Sequence, residues 1–261
     1  MTKTILIIGG CGFVGSHLVE FLLGKYETVS IINCDALTDM ARLDALAVFK
    51  KNPRYHFVKG RCDDRGVVEN IFSENIDEVI WCADEAYREG SDAYLCTGVM
   101  GLNAVLSRVA KSGSVKRFVF LGRDGEGFDG ALFEAQSALV GAFGKRGVPV
   151  VSLVAENVCG PYQHPSAMPA SEIIASIQEK RPLSKKLGGV IYIDDYVNAV
   201  DLVLHRGKVG EVYEFDKSVV SRPRGALLSD LGLKTVYSKE TALTETLQWY
   251  IENAPWWHSL L

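Results

Sequence analysis

Short apolar runs recur along the first 155 positions and alternate with segments of helical periodicity. The runs are rich in β-branched and aromatic residues, and they occupy positions 5–8, 29–32, 55–58, 79–82, 118–121 and 148–154. The helical patterns between them occupy positions 16–23, 66–74, 92–111 and 131–145. Near-continuous apolar strands are typical of parallel sheets buried on both faces. The alternation predicts right-handed βαβ units in a doubly wound α/β fold over residues 1–155.

The pattern changes after Pro161, where a proline-containing loop leads into a mixture of helices and short strands. We expect helices at about 171–179, 194–205 and 243–252, and strands at 190–193 and 211–215. Residues 156–261 are therefore predicted to form a small mixed α/β substrate lobe beside the carboxyl edge of the sheet. Doubly wound folds bind their ligands at that edge.

The amino-acid composition is typical of a soluble globular protein and argues against several other classes of protein. The 261 residues are 48% apolar and 23% charged, close to the average of soluble globular proteins. The formal net charge of −4, without any run of Lys or Arg longer than two, argues against a nucleic-acid partner. We find neither an apolar stretch of roughly 18 residues nor a secretory leader, so we expect no membrane span and a cytoplasmic location. Six widely spaced cysteines without a C-x-x-C motif predict reduced thiols rather than a zinc or disulfide framework.

A glycine-rich segment, Gly9-Gly-Cys-Gly-Phe-Val-Gly15, directly follows the first predicted strand and begins the first predicted helix. Glycines at these spacings allow a tight turn, a close approach of the backbone to a pyrophosphate, and close packing of helix on strand. Asp35 ends the second strand, twenty residues after Gly15. A carboxylate there hydrogen-bonds ribose hydroxyls and repels a 2′-phosphate, which predicts NAD rather than NADP. The alternative for Asp35 is a turn residue that caps the following helix.

Several segments carry a resemblance that runs from end to end of the chain. They are the glycine-rich segment, Cys34-Asp-Ala-Leu-Thr, Asn157-Val-Cys-Gly-Pro-Tyr-Gln163, and Thr246-Leu-Gln-Trp-Tyr-Ile-Glu-Asn-Ala-Pro-Trp-Trp257. With them the chain resembles the extended short-chain dehydrogenase/reductase family, and within it the nucleotide-sugar 4,6-dehydratases. The resemblance implies a Rossmann fold with bound NAD. The cofactor contacts expected from it and from the motif are Gly9, Gly12, Phe13, Val14, Gly15, Asp35, Arg61, Cys62, Cys82 and Ala83.

The same resemblance implies a nucleotide-sugar ligand. Asn157 matches the family's asparagine before Gly-Pro, and Glu85 and Tyr87 follow the fourth strand where the family places polar contacts to the substrate. A solvated loop is the alternative for Glu85 and Tyr87. Arg61 replaces the family's aspartate that touches adenine. Helices 92–111 and 131–145 correspond to the family's dimer bundle, which implies a homodimer or a heterodimer with an intact paralogue.

The family oxidises its sugar at carbon 4, eliminates water across carbons 5 and 6, and returns the hydride to carbon 6. The oxidation uses a Tyr-x-x-x-Lys pair, because a phenol with a pKa near 10 needs a neighbouring cation to act as a base. Here the helix places Asp129 and Phe133 at those two positions, or Phe133 and Ser137 after a shift of four residues. Two such strings occur elsewhere, Tyr55–Lys59 and Tyr213–Lys217, but on strand patterns, which separate i and i+4 by about 13 Å.

Other positions of the family's chemistry differ too. Its Thr-Asp-Glu triplet falls on Arg123-Asp124-Gly125, so that the glutamate is lost and Glu126 is its nearest replacement. The stretches 121–133 and 183–191 look shortened. We therefore interpret the chain as an NAD-binding, degenerate member with a binding, regulatory or partner role. The alternative is a nucleotide-sugar dehydratase or epimerase with a rebuilt acid/base set drawn from Asp124, Glu126, Asp129 or Glu85.

One histidine, two tryptophans and the cysteines are expected to have structural rather than ligand-binding roles. His164 lacks a motif partner and is expected on a surface loop, and Trp256 and Trp257 are expected to anchor the terminal helix by packing. The cysteines at or near strand ends are expected to be small buried fillers.

Overall fold

The computed structural model describes residues 2–83, 94–123, 127–184, 187, 189–215 and 225–261, and for 94–97 and 127–129 the backbone alone. Strands and helices alternate along its first 155 residues. The strands are β1 (Lys3–Ile8), β2 (Val29–Asp35), β3 (Tyr55–Lys59), β4 (Glu78–Trp81), β5 (Arg117–Arg123) and β6 (Val150–Ala155). The helices are α1 (Phe13–Lys25), α2 (Leu43–Leu46), α3 (Arg65–Ile71), α4 (Leu102–Ser112), preceded by a π-helical segment (Tyr94–Gly101), and α5 (Gly127–Lys145).

Further strands and helices follow in the rest of the described chain. The strands are β7 (Asn157–Cys159), β8 (Val190–Tyr192), β9 (Val212–Glu214) and β10 (Ala226–Leu227). The helices are α6 (Ala170–Glu179), α7 (Ile193–Arg206), α8 (Lys239–Glu252) and α9 (Ala254–His258). Each predicted element is therefore present, with bounds that shift by a few residues.

The main sheet is parallel, with the strand order β3-β2-β1-β4-β5-β6-β9-β10 in the described part of the chain. Because β1 pairs with both β2 and β4, the chain reverses its direction of winding beside β1. Ligands bind doubly wound sheets at the carboxyl ends of the strands next to such a switch point. The doubly wound Rossmann fold predicted from the sequence is confirmed.

Alternate residues of β1 enter the two cores on opposite faces of the sheet. Ile5 and Ile7 belong to the core that contains α1 and α7, and Leu6 and Ile8 belong to the core that contains α4 and α5. All four side chains are at most 2% exposed. This two-sided burial explains why the strands read as continuous apolar runs.

The sheet extends beyond its predicted limit at residue 155. β9 pairs with β6, and β10 pairs with β9, so two strands from the region assigned to the lobe continue the sheet. The pairing covers the edge of β6, whose backbone groups would otherwise lie open. The division into domains at residue 155 stays a prediction.

The rest of the C-terminal region forms a small unit with its own core. β7 and β8 form a two-stranded parallel sheet, and α6, α8 and α9 enclose Ile173, Tyr250 and Trp257. Trp257 is 1% exposed and donates its indole N–H to the Tyr250 carbonyl at 2.8 Å. Its predicted role as a packing anchor is confirmed. Within the described residues, no helix is both long and apolar enough to cross a bilayer.

Candidate functional site

The turn between β1 and α1 brings the backbone of Gly9 and Gly15 too close to other backbone atoms for a side chain. Gly9 has φ +80°, and a Cβ added there would lie 2.9 Å from the Cα of Ala83. A Cβ on Gly15 would lie 2.3 Å from the Gly9 carbonyl oxygen. A Cβ on Gly12, by contrast, would meet that oxygen at a tolerable 3.4 Å. Gly9 and Gly15 therefore shape the turn, whereas Gly12 leaves room in front of the first turn of α1.

Asp35 lies at the carboxyl end of β2 and is tied to this turn. Its Oδ2 accepts the Cys11 backbone N–H at 2.8 Å, and its Oδ1 accepts the Leu37 backbone N–H at 2.8 Å. Burial raises the pKa of Asp35 above its ordinary value, although these two hydrogen bonds favour the carboxylate. The structure thus fixes Asp35 beside the glycine-rich turn, the position that the ribose-binding acid takes in dinucleotide-binding doubly wound folds.

Two adjoining cavities follow the carboxyl edge of the sheet and share Gly12, Met40 and Cys82. We name them the Asp35 cavity and the Glu156 cavity. The Asp35 cavity is lined by Ile8, Gly9, Gly12, Cys34, Asp35, Ala36, Thr38, Met40, Ala41, Gly60, Arg61, Cys62, Cys82 and Ala83. The Glu156 cavity includes Gly12, Phe13, Val14 and Gly15 from the start of α1. All ten residues predicted as cofactor contacts therefore line one cavity or both.

The Glu156 cavity carries polar side chains to which no sequence motif assigns a ligand-binding role. They are Arg123, Glu156, Gln163, His164 and Tyr196. Arg123 ends β5 and Glu156 directly follows β6. Their place at the carboxyl edge of the sheet could therefore have been predicted from the strand ends in the sequence. The position of Tyr196, from α7, depends on long-range packing.

His164 lies on a loop between β7 and α6, as expected, and it also lines the Glu156 cavity. Its Nδ1 accepts the Ser166 backbone N–H at 3.2 Å and lies 2.8 Å from the Ser166 hydroxyl oxygen. Gln163 holds the same loop by donating from Nε2 to the carbonyls of Val158 at 3.0 Å and Met168 at 2.8 Å. The loop is therefore folded over the cavity by its own hydrogen bonds.

Phe133 is a core residue. Its side chain is 5% exposed and lies among Val140 and Phe143 in the core below α5. A Cβ on Gly122 of β5 would come within 2.6 Å of the Phe133 ring. An apolar ring packed this closely on β5 occupies a helix position at which the resemblance expects the lysine or, after a shift of four residues, the tyrosine.

For the other predicted site residues, the structure describes only Asn157 and the backbone of Asp129. Asp124, Glu126, Glu85 and Tyr87 lie outside the described residues, and of Asp129 only the backbone, in α5, is described. Asn157 pairs with Val190 in the small sheet and is absent from the described lining of either cavity.

The two Tyr-x-x-x-Lys strings begin in strands, as expected. Tyr55 and Lys59 lie in β3 and Tyr213 in β9, whereas Lys217 lies outside the described residues. The hydroxyl of Tyr55 accepts a hydrogen bond from Asn33 Nδ2 at 2.9 Å. Burial raises the pKa of Tyr55 to about 12. These features suit a structural tyrosine rather than a base.

Residues 6–121 match the family model of GDP-mannose 4,6 dehydratase. A trifunctional UDP-glucose 4,6-dehydratase/epimerase/reductase of Arabidopsis thaliana is 26% identical over 98% of this chain and 48% of that protein. The dTDP-D-glucose 4,6-dehydratase of Homo sapiens is 28% identical over 84% of this chain and 71% of that protein. The chain spans about half the length of the first curated relatives that it matches.

Solved structures share the fold. The dTDP-glucose 4,6-dehydratase of Bacillus anthracis, solved in complex with NAD, superposes with a TM-score of 0.83 at 24% identity, over 100% of both chains. The UDP-glucuronic acid 4-epimerase of Bacillus cereus, solved with UDP-glucuronic acid and NAD, gives 0.78 at 18% identity, over 96% of this chain and 99% of that one. At these identities the superpositions establish the Rossmann architecture.

Proposed function

We propose that this chain, an extended short-chain dehydrogenase/reductase that resembles the nucleotide-sugar 4,6-dehydratases, binds NAD but has lost the 4,6-dehydratase reaction. It acts as a binding, regulatory or partner subunit for a nucleotide-sugar ligand. The observation that carries this proposal is the burial of Phe133 against β5, at a helix position where the resemblance expects the lysine or, after a shift of four residues, the tyrosine.

NAD binding is supported by the glycine-rich turn, Asp35 and the continuous cleft. The pyrophosphate would lie at the first turn of α1, beside Gly12, where backbone N–H groups and the helix dipole favour an anion. Asp35 would hold the adenosine ribose hydroxyls and repel a 2′-phosphate. The nicotinamide half would then extend past Gly12 into the Glu156 cavity.

Loss of the dehydratase reaction follows from the chemistry of the helix. Oxidation at carbon 4 needs a base that takes the hydroxyl proton and a cation that lowers the pKa of that base. Phe133 carries neither a charge nor a hydrogen-bonding group. In both alignments of the helix with the Tyr-x-x-x-Lys pair, which differ by four residues, either the base or the cation is therefore missing.

A second candidate is a nucleotide-sugar enzyme with a different acid/base pair. It is favoured by the presence of Glu156 and His164 in the lining of one cavity, since a carboxylate and an imidazole can exchange protons with a bound ligand. If this candidate is right, turnover of a nucleotide sugar falls at least tenfold in Glu156→Gln. Unchanged turnover would argue against this assignment.

Calorimetric titration with NAD and NADP, followed by incubation with NAD and dTDP-glucose or UDP-glucose, tests the favoured proposal. We expect saturable binding of NAD, at least tenfold weaker binding of NADP, and no 4-keto-6-deoxy sugar above the blank. Failure to bind NAD overturns the cofactor assignment, and accumulation of the keto product overturns the loss of activity.

The partner role is open to a separate measurement. α4 and α5 are the proposed surface for a second copy or an intact paralogue. Native mass spectrometry of the chain alone, and mixed with a complete 4,6-dehydratase, is expected to show a dimer in one of the two samples. A monomer in both would contradict the proposal of a partner subunit.

A further inference from the structure

Two short segments border the cleft, one beside each cavity. Residues 36–41, between β2 and α2, include side chains that line the Asp35 cavity. Residues 163–168, between β7 and α6, include side chains that line the Glu156 cavity. Met40 of the first segment reaches both cavities. We name these two segments together the cleft strap.

The two segments of the strap touch beside the junction of the cavities. The Ser166 hydroxyl donates to Met40 Sδ at 3.9 Å. Ser166 is exposed and is absent from the described lining of both cavities. Because a thioether sulfur is a weak acceptor and the two atoms lie far apart for a hydrogen bond, this contact opens at a small cost in free energy.

Each segment keeps its shape through a backbone turn of its own. The Ala41 N–H donates to the Thr38 carbonyl at 2.9 Å, and the Ala167 N–H donates to the His164 carbonyl at 2.9 Å. Both hydrogen bonds lie within a segment, so that breaking the contact between the segments leaves the two turns intact. The segments can therefore part as units.

Backbone conformation marks the other end of the strap. Leu37 and Tyr162 have φ of +57° and +66°, a region that residues other than glycine seldom adopt. Residues in such conformations concentrate at ligand clamps and switch regions. The ring of Tyr162 packs on Arg42, whose backbone N–H is bonded to the glycine-rich turn. The strap is therefore anchored at Arg42 and Tyr162, whereas the contact between Met40 and Ser166 is the weaker one.

We propose that the cleft strap is a gate for the dinucleotide, which parts at the contact between Met40 and Ser166 to admit the ligand and then closes over it. The inference rests on the dinucleotide binding proposed above and adds how the ligand reaches the cleft. A ligand that extends from Asp35 into the Glu156 cavity passes Met40, because Met40 lines both cavities. Loops that close over a ligand limit the rates of its entry and release. Weakening such a gate raises both rates, whereas losing a contact to the ligand acts mainly on dissociation.

Stopped-flow fluorescence of NAD binding to the full chain tests the gate. Ser166→Ala removes the hydroxyl donor, and Met40→Leu removes the sulfur acceptor while keeping an apolar side chain of similar size. We expect each variant to raise the association rate constant at least twofold. The double variant should show no further increase, because both changes break the same contact. An unchanged association rate in either single variant, or effects that multiply in the double variant, overturns the inference and leaves NAD binding intact.

Ser171→Ala is the matched control. The Ser171 hydroxyl also donates to a methionine sulfur, that of Met168 at 3.1 Å, but this contact does not join the two segments. The association rate of this variant should equal that of the unchanged protein. A rise as large as that in Ser166→Ala would show that the effect does not depend on the contact between the segments, and the inference would fail.

Hydrogen exchange of the ligand-free chain tests the strap separately from NAD binding. Ser166→Ala should speed exchange of the amides at 36–41, in the opposite segment, at least twofold, because an opened strap protects them less. A change confined to 163–168 would overturn the inference. If NAD does not bind to the unchanged protein, the proposed function fails, and the exchange at 36–41 still decides whether this contact holds the strap closed.

Discussion

The guanidinium carbon of Arg42 lies 3.8 Å from the ring centre of Tyr162, and this contact joins the two regions that border the cleft. Arg42 also donates its backbone N–H to the Cys11 carbonyl at 2.6 Å and its Nη1 to the Ser16 hydroxyl at 3.1 Å. Tyr162 in turn packs on Trp249 of α8, with ring centres 4.6 Å apart. One side chain therefore links the glycine-rich turn and α1 to the C-terminal unit.

Replacing Arg42 by Met is predicted to destabilise the protein. The side chain is 8% exposed, so the variant loses a buried hydrogen bond and a desolvated cation–π contact while keeping most of the apolar stem. These contacts predict a decrease of about 1–3 kcal/mol in the free energy of unfolding, measured by urea denaturation. Arg65→Met, at a side chain that is 92% exposed, is the control and should change stability by less than about 0.5 kcal/mol. Equal effects in the two variants would contradict the role of the Tyr162 contact.

Acid stability is predicted to depend on Asp201 of α7. Its burial acts to raise its pKa, but hydrogen bonds from His205, Lys25 and Tyr26 prevail and lower the pKa to about 2. Because the folded-state pKa lies below the unfolded value of about 3.9, this stabilisation is present above that value and is lost as the pH falls from about 4 to 2. Asp201→Asn should lower stability at pH 7 by about 1–3 kcal/mol and flatten the acid limb of a plot of stability against pH.

The exposed residue Asp230 supplies the control for this prediction. Asp230→Asn should leave both the stability at pH 7 and the acid limb as they are in the unchanged protein. If Asp201→Asn retains the full loss of stability between pH 4 and 2, other carboxylates cause that loss and the assignment to Asp201 is wrong.

Much of the Rossmann region could be predicted because the residues that determine each strand and each turn lie close together in the sequence. β1 is apolar on both faces and ends at Ile8, directly before Gly9. The residues that determine the strand, its end and the following turn therefore lie within about a dozen positions. Asp35 was predictable for the same reason, since a fixed spacing separates it from Gly15. The ten predicted contacts line the cleft because backbone geometry sets their positions.

The Glu156 cavity was less predictable because distant segments build it. His164 reaches the cavity through a loop whose shape depends on Gln163, whose carbonyl accepts a hydrogen bond from Tyr250 of α8. β9 joins the main sheet although it lies more than fifty residues beyond β6. Neither the position of His164 nor the pairing of β9 with β6 produces a periodic pattern in the sequence. Each depends on contacts between parts of the chain that are far apart in sequence.

Gly12 offers a variant that separates ligand binding from folding. A Cβ there meets only the Gly9 carbonyl oxygen, at 3.4 Å, and Gly12 lines both cavities. Gly12→Val is predicted to weaken NAD binding at least tenfold while lowering the free energy of unfolding by less than about 1 kcal/mol, because its branches project into the cleft. Gly24→Ala, in α1 with nothing within 4 Å of the added Cβ, is the control. It should keep NAD binding and raise stability by about 0.5–1 kcal/mol.

A final prediction concerns the thiols beside the Asp35 cavity. Cys34, Cys62 and Cys82 line this cavity, and the sulfur atoms of Cys34 and Cys62 lie 3.9 Å apart. The hydrogen bond with Cys34 and burial raise the pKa of Cys62, and burial raises the pKa of Cys82. Since the thiolate is the reactive form, iodoacetamide should label Cys62 and Cys82 slowly in the folded protein at pH 7.5 and rapidly in urea.

Bound NAD should slow this labelling further, because it would fill the cavity that these three cysteines line. Cys159 is the internal control, since it is buried below α8 with its Sγ 3.7 Å from the Ala242 carbonyl oxygen, away from the cleft. Peptide mass mapping in a Cys96→Ser background should show at least threefold protection at Cys34, Cys62 and Cys82, and little change at Cys159. Equal protection of all four cysteines would indicate general stabilisation by the ligand, and no protection at the first three would place NAD elsewhere.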